Sequence, residues 1–374
     1  MRAQEADGAV FDRLAAAGGN DLISVFVPTH ESGRDVAQGR IHFKNELAEV
    51  DGKLTDLGWR PRERSERLSR GRELLDDLQF WEHQRAGLAV YIDETGTTTT
   101  VSVSKSVDPH AMVMPVFHVR PLSADIEPTT RAVLVLTKNE VALFTVAGGE
   151  VEPVDLAQPD YQAVNWFVDR EKQRQQHPDQ SGTARNRHGQ EASTRGEEDT
   201  ARFLRAVDAA LDVIPTEGPL IVLGDDDLTA RFANLSERPI SSPENSGMAA
   251  PFASGDIAQR VAGVIDGLER DRIDIASAAA MDHLGLGKAT KELTVALPAA
   301  LIGRVAAIVM NRNAAAVWGR LDEGDLDVAI HEAKEPGDVD LLDRLLVWAR
   351  RNGAEITVSE QPVDGGALIA IFRY

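Results

Sequence analysis

Three adjacent residues near the middle of this chain stand out by type, His188, Gly189 and Gln190, with Arg185, Arg187 and Arg195 close by. A glutamine side chain is neutral and is no general base at ordinary pH. It can orient a water molecule, and its backbone N–H can donate to an oxyanion as the charge develops. One such donor is worth about 3 kcal/mol. A neighbouring glycine supplies φ > 0 and lets the backbone come close to another group. A histidine before that glycine restricts the backbone unless its own φ is negative. It also brings an imidazole that can stack on a base or exchange a proton.

The tripeptide lies in a hydrophilic stretch running from about Asp169 to Asp199, in which no apolar periodicity survives. Segments that read as well folded lie on both sides. A compact domain seldom carries so long a structureless loop unless the loop is functional or disordered. The basic tip, Arg185 to Gln190, suits a loop that reaches into a site on a large RNA-rich partner. The plainer alternative is an incidental tripeptide in a disordered loop, and the three residues alone do not choose between them.

Other constellations carry less. Asp225, Asp226 and Asp227 follow a strand-like run, where α/β proteins place metal or substrate ligands. The same three residues make a good helix cap and first turn, and the cap is the favoured reading. The nine histidines are scattered with no zinc-like spacing. His42 and His118 read as packing or surface residues. Gly285 to Lys288 lacks the glycine spacing of a P-loop and reads as a helix junction. No dinucleotide signature or nucleophile elbow is present. Neither a metal nor a cofactor is expected.

The net charge of −20 over 374 residues argues against general nucleic-acid binding, since binding faces are basic. Net charge averages over the whole surface, however. Between Arg60 and Arg72 six arginines (60, 62, 64, 67, 70 and 72) stand against Glu63 and Glu66. Arg60, Arg64 and Arg67 are therefore candidate phosphate contacts, whose binding would be salt-dependent. The alternative is a solvated helix face with Glu63 and Glu66 as intrahelical partners. The chain has no cysteine, so packing must hold the fold. The first residues carry acids and no apolar core of a secretory signal. No run of about eighteen apolar residues suggests a membrane span. A cytoplasmic protein is expected.

These residues need a frame. Val10 to Ala17 reads as a short helix and Leu22 to Val27 as a buried strand. Val36 to Leu57 reads as a helix stopped by Gly58, and Pro61 to Phe80 as a second one with an arginine-rich outer face. Strands follow at Gly87 to Ile92, Thr97 to Ser104 and Met112 to Val119. Pro121 to Pro128 marks a linker. Arg131 to Thr137 and Val141 to Val146 form a hairpin, with a third strand near Val151 to Val154. After the polar stretch, Thr200 to Ile214 is an amphipathic helix with Phe203, Leu204, Val207 and Leu211 on one face. Leu220 to Gly224 reads as a buried parallel strand. Pro239 to Gly255 is a second boundary. Asp256 to Ala280 is a helix, and Leu286 to Thr290 opens another. Val305 to Met310 and Ala314 to Trp318 read as strands, Val339 to Arg351 as a helix, and Glu355 to Ser359 and Ala367 to Phe372 as strands. The predicted class is α/β with three domains, at residues 1–122, 129–238 and 256–374. RNase H-like topology is one candidate for the middle one.

Several segments resemble a known family. LISVFVPTHESG (22–33), RIHFKNEL (40–47), TARFLRAVDAAL (200–211) and PLIVLGDDDLTARFANLS (219–236) are similar to the bacterial archaeo-eukaryotic release factors. The ending RNGAEITVSEQPVDGGALIAIFRY resembles the close of the third domain of archaeal and eukaryotic class-one release factors and of Pelota. The likeness extends over nearly the whole chain in element order, though no single motif is long. It implies an N-terminal domain, an RNase H-like central domain, and a C-terminal α/β sandwich similar to kink-turn-binding ribosomal proteins. In the release factors the central domain carries a Gly-Gly-Gln loop that enters the peptidyl transferase centre. Gly189 and Gln190 match its last two residues, and His188 stands where its first glycine would be. The codon-reading motifs of the eukaryotic factors, Asn-Ile-Lys-Ser and a cysteine-containing segment, have no counterpart.

The resemblance implies a ribosome-associated translation factor that promotes peptidyl-tRNA ester hydrolysis or rescues stalled ribosomes. Gly189 and Gln190, with His188, would carry catalysis. Arg185, Arg187 and Arg195 would meet rRNA or tRNA phosphates. A translational GTPase is a further candidate partner. Two alternatives stand beside this reading. One is a non-catalytic binder of the vacant ribosomal A site in stress or hibernation. The other is an acidic protein-interaction module with a disordered loop.

Overall fold

A computed structural model of the chain describes residues 3–29, 36–82, 84–126, 131–136, 141–147, 150–154, 188–213, 219–241, 256–322 and 324–374. These form two compact units. One joins Met1–Glu127 with Asp271–Tyr374, and the other is Pro128–Arg270. Of the segments expected at 1–122, 129–238 and 256–374, residues 1–122 and 271–374 fall in the first unit, and residues 256–270 in the second.

In the first segment a five-stranded sheet has the order β1-β4-β3-β2-β5. Its strands are β1 (Gln4–Glu5), β2 (Gly18–Pro28), β3 (Gly87–Ile92), β4 (Thr98–Val103) and β5 (His110–Val116). Helix α1 (Gly8–Ala15) starts where the Asp7 carboxylate accepts the Val10 N–H at 2.7 Å. One sheet face is covered by α2 (Val36–Asp56), whose Phe43, Leu47, Val50 and Leu54 pack on Ile23, Val25 and Val27. The single helix expected over 61–80 is instead three short ones, α3 (Pro61–Arg67), α4 (Ser69–Asp76) and α5 (Leu78–Trp81). Asp77 starts the last of these by accepting the Phe80 N–H.

Strand β5 is an edge of this sheet, and an edge exposes backbone acceptors. Lys53 Nζ donates to the Ala111 carbonyl at 2.5 Å, and Lys334 Nζ donates to that of Val113. Burial pulls the Lys334 pKa below its ordinary value.

The second unit holds a five-stranded sheet of order β8-β7-β6-β9-β10. Its strands are β6 (Arg131–Leu136), β7 (Val141–Ala147), β8 (Glu150–Pro153), β9 (Leu220–Gly224) and β10 (Ile240–Ser241). β6, β7 and β8 pair antiparallel, whereas β9 pairs parallel to both β6 and β10. The β9 backbone runs so close to β6 that a Cβ on Gly224 would lie 1.8 Å from the Leu136 carbonyl oxygen, and its φ is +137°. Only glycine fits there. Helix α6 (His188–Ala210) and helix α7 (Asp226–Leu235) cover one face, through Phe203, Leu204, Val207 and Phe232. Asp225 caps α7 by accepting the Asp227 N–H, as expected of that acidic run. Val261, Val264, Ile265 and Leu268, from α8 (Asp256–Gly285), cover the other face.

The last segment carries a four-stranded sheet of order β11-β17-β12-β16. Its strands are β11 (Ala289–Thr290), β12 (Val305–Asn311), β16 (Glu355–Ser359) and β17 (Leu368–Phe372). Leu293–Leu301 is the helix α9, so Leu286 to Thr290 leads through a turn and a short strand into it. Residues 314–318 are not a strand of this sheet. Trp318 begins β13 (Trp318–Leu321), the centre of a small sheet with β14 (Val328–Ile330) and β15 (Val339–Asp340), in the order β14-β13-β15. Helix α10 (Leu341–Arg351) is capped by Asp340, which accepts the Leu342 N–H.

First and last segments share one apolar cluster, in which Phe11, Phe26, Tyr91 and Phe117 meet Leu297, Ile308, Leu342, Leu346 and Trp348. Buried charge crosses the same contact. Asp343 Oδ1 accepts the Val119 and Arg120 N–H groups, both at 2.7 Å. Arg120 donates to Asp340 Oδ2 at 3.0 Å and to the carbonyls of Arg312 and Ala314. His118 is buried and packs edge-on against Phe26, with Nδ1 3.3 Å from Asp343 Oδ1 but too poorly aligned for a full hydrogen bond. Burial pushes the Asp343 carboxyl up. The His118 imidazole and Arg344 guanidinium outweigh that and hold it well below the usual carboxylate range.

Candidate functional site

Three of the predicted residues, His188, Gly189 and Gln190, form the first turn of α6. The helix begins twelve residues before the expected Thr200 and takes in the second part of the stretch read as a loop, Arg195 included. Residues 169–187, with Arg185 and Arg187, lie outside the described residues. Further along the helix, Phe203, Leu204, Val207 and Leu211 supply the apolar face expected of them and anchor it to the sheet.

This placement changes the chemistry open to the tripeptide. Helical backbone has φ near −60°, a conformation that does not require glycine. The first turn of a helix leaves its N–H groups without intrahelical acceptors. The N–H groups of residues 188–190 are among them, and the helix dipole favours negative charge at the same end. A helix start can hold a phosphate or a developing oxyanion through backbone donors.

The basic helix of the first segment divides into used and available arginines. Arg67 is 3% exposed. Its guanidinium donates to the carbonyls of Asn20 and Asp21 and lies 4.7 Å over the Trp59 ring. Trp59 Nε1 in turn donates to Asp21 Oδ2 at 2.9 Å. Burial pulls the Arg67 pKa below its ordinary value, against the pull of Asp21, Glu94 and Asp93. Arg67 therefore pins α3 to β2 and is not on a phosphate-binding face, which corrects the sequence expectation. Arg64 is also committed, to Asp51 at 3.3 Å and the Trp59 carbonyl at 2.9 Å. Arg60 is the exposed N-cap of α3, and its N–H donates to Glu63. Arg62 pairs with Glu66 at 2.8 Å and stays 90% exposed. Glu63 and Glu66 thus serve as the local partners that the solvated-face reading assigned to them.

Residues 132–304 match the model of bacterial archaeo-eukaryotic release factor family 3. The chain is like the bacterial archaeo-eukaryotic release factors. The match takes in the second sheet, helix α6 with His188 to Gln190, and α8 and α9. Solved structures with similarity to this release factor-like chain include a ribosome-bound archaeal Pelota with ABCE1, at 13% identity over 77% of each chain and a TM-score of 0.35. The archaeal translation termination factor aRF1 is 14% identical over 98% of this chain and 96% of its own, with a TM-score of 0.24. The S. cerevisiae Dom34, described as interacting with Hbs1, is 10% identical over 80% and 82%, with a TM-score of 0.32. Likenesses this slight place no residue. No curated protein matches the sequence. Among the described residues, no helix is long and apolar enough to cross a membrane.

Proposed function

We propose that this chain is a cytoplasmic, ribosome-associated translation factor acting in peptide release or in the rescue of stalled ribosomes. The carrying observation is the family match over residues 132–304, which includes His188-Gly189-Gln190. The strand order β8-β7-β6-β9-β10, three antiparallel strands followed by two parallel ones, supports an RNase H-like reading of the central domain. The C-terminal domain, with α9 and α10 against β11-β17-β12-β16, is read as the sandwich similar to kink-turn-binding ribosomal proteins.

In this reading the segment 169–199 enters the peptidyl transferase centre. Arg185, Arg187 and Arg195 meet rRNA or tRNA phosphates there. Water attacks the ester carbonyl carbon, the bond to the tRNA 3′ oxygen breaks, and the water proton ends on that leaving oxygen. Gln190 acts as a positioning group and donor, since a neutral amide takes no proton. A backbone N–H at the helix start stabilises the oxyanion. Arg60 and Arg62, exposed on α3, are the first-segment arginines proposed to touch RNA. A translational GTPase is a proposed partner.

A second reading, in which the chain occupies the A site without hydrolysis, is favoured by one observation: the tripeptide is helical and lacks the first glycine. One experiment separates the two. Purified chain is pelleted with vacant bacterial ribosomes across a salt series, and peptide release is measured from stalled complexes. Release by wild type but not by Gln190→Ala supports hydrolysis. Salt-sensitive pelleting that is lost in Arg185→Glu/Arg187→Glu, without release, supports occupancy. Absence of both rejects the ribosomal function.

A further inference from the structure

We propose that His331, Glu335 and Asp338 form a binding site for a divalent transition-metal cation of zinc type. The three residues lie on the connection from β14 to β15, with the spacing His-x3-Glu-x2-Asp. One ligand atom from each falls within 4.8 Å of the others. His331 Nδ1 is 2.8 Å from Asp338 Oδ2 and 3.7 Å from Glu335 Oε2.

The backbone holds the three in place. The His331 N–H donates to the Trp318 carbonyl, fixing the start of the connection against β13. Gly337, with φ +88°, turns the chain back, and the Asp338 N–H donates to the Glu335 carbonyl. Asp338 is fully buried, whereas Glu335 is 56% exposed and His331 24%. One side of the triad is therefore fixed and the other is open to solvent, the arrangement of a three-ligand site completed by water.

Each carboxylate oxygen of Asp338 has its own task. Oδ1 accepts from Arg320 Nε at 2.9 Å, and Arg320 Nη2 donates to the Pro336 carbonyl at 2.7 Å. That pair orients the carboxylate from behind, as outer partners of metal ligands do. Oδ2 faces His331. A cation there takes the place of the proton shared by Nδ1 and Oδ2, and that proton moves to Nε2 of the same ring. Two carboxylates against one guanidinium leave a net negative charge to attract the cation. Imidazole with carboxylate favours zinc over magnesium or calcium, which take all-oxygen sets. Histidine spacing alone misses this site, because only one of the three ligands is histidine.

The cation would tie together a sheet of three short strands, in a chain without cysteine. Without a cation the same residues are only a hydrogen-bond cluster closed on Arg320. Full-length protein stripped by a chelator distinguishes the two. It is titrated with Co2+ as a spectroscopic probe and then with Zn2+ in competition. One equivalent of zinc with tetrahedral cobalt absorption is expected in wild type. Affinity should fall at least ~10-fold in Glu335→Gln and His331→Ala. Glu335 is mostly exposed, so its variant keeps the fold, checked by circular dichroism. Absence of stoichiometric uptake by wild type overturns the proposal, as does uptake unchanged in Glu335→Gln.

Discussion

Asp343 Oδ1 lies 2.7 Å from the backbone nitrogen of Val119, a residue 224 positions earlier in the chain. The carboxylate joins the end of the first segment to a helix of the last. Its charge is fully buried and is held by Arg344 at 2.8 Å and two backbone donors. Removing it leaves those donors and the Arg344 guanidinium without an acceptor. Asp343→Ala is expected to lose about 3–5 kcal/mol, the cost of breaking one side of a buried charge network. Urea unfolding followed by fluorescence measures this, and a loss below about 1 kcal/mol would show the network to be marginal.

Arg62 and Arg67 sit five residues apart and should behave as opposites. Arg62 is exposed and pairs with Glu66, so Arg62→Ala is expected to leave the melting temperature nearly unchanged. Arg67 bonds two carbonyls and packs on Trp59, so Arg67→Ala should cost about 2–3 kcal/mol. Thermal melts of the two variants side by side decide it. Charge reversals that probe RNA contacts therefore belong at Arg60 and Arg62, where the fold is not at stake.

His110 gives the molecule a pH dependence of definite sign. Its ring stacks on Phe26 with centroids 4.7 Å apart, and Nδ1 lies 2.8 Å from the Asp108 carbonyl. Burial, then the nearby His118, pulls its pKa from 6.5 down to about 4. Between those values the unfolded chain takes up a proton that the native state refuses. Stability from this group is therefore complete above pH ~6.5 and falls as pH drops toward ~4. The melting temperature of wild type should decline over that window, and His110→Gln should flatten the decline. Asp343 does not contribute there, because a depressed carboxylate keeps its stabilisation until the pH falls below the unfolded carboxylate range, about 4.

Strong local patterns made much of the frame legible. Leu22 to Val27, Gly87 to Ile92 and Leu220 to Gly224 are apolar runs bounded by turn residues, and all three are strands. Val36 to Leu57 repeats its apolar residues at helical spacing and is α2 almost to the residue. The misses have separate causes. The breaks in 61–80 follow from Arg67 turning inward and Asp77 capping a new helix, which arginine-rich composition does not reveal. Residues 188–199 carry no apolar stripe, so periodicity does not reveal that part of the helix; Phe203, Leu204 and Val207 pack on the sheet further along it. The strands at 318–340 are two to four residues long, too short for alternation to register. His188 to Gln190 could be singled out by residue type, but their position in a first helical turn depends on contacts further along the chain. Arg67 could not be told from its exposed neighbours, since its partners Asn20 and Asp21 are far away in sequence.

The discontinuous unit also sets the order in which the protein can be made. A chain emerging from its N-terminus presents residues 1–127 long before residues 271–374 exist to complete their core. Pro128–Arg270 can close as soon as it is out, because its sheet and helices are contiguous. Until then Phe117, Val119 and Leu122 lack Leu342, Leu346 and the carboxylate of Asp343. The nascent first segment therefore waits half-finished with apolar surface uncovered, the state that draws chaperones.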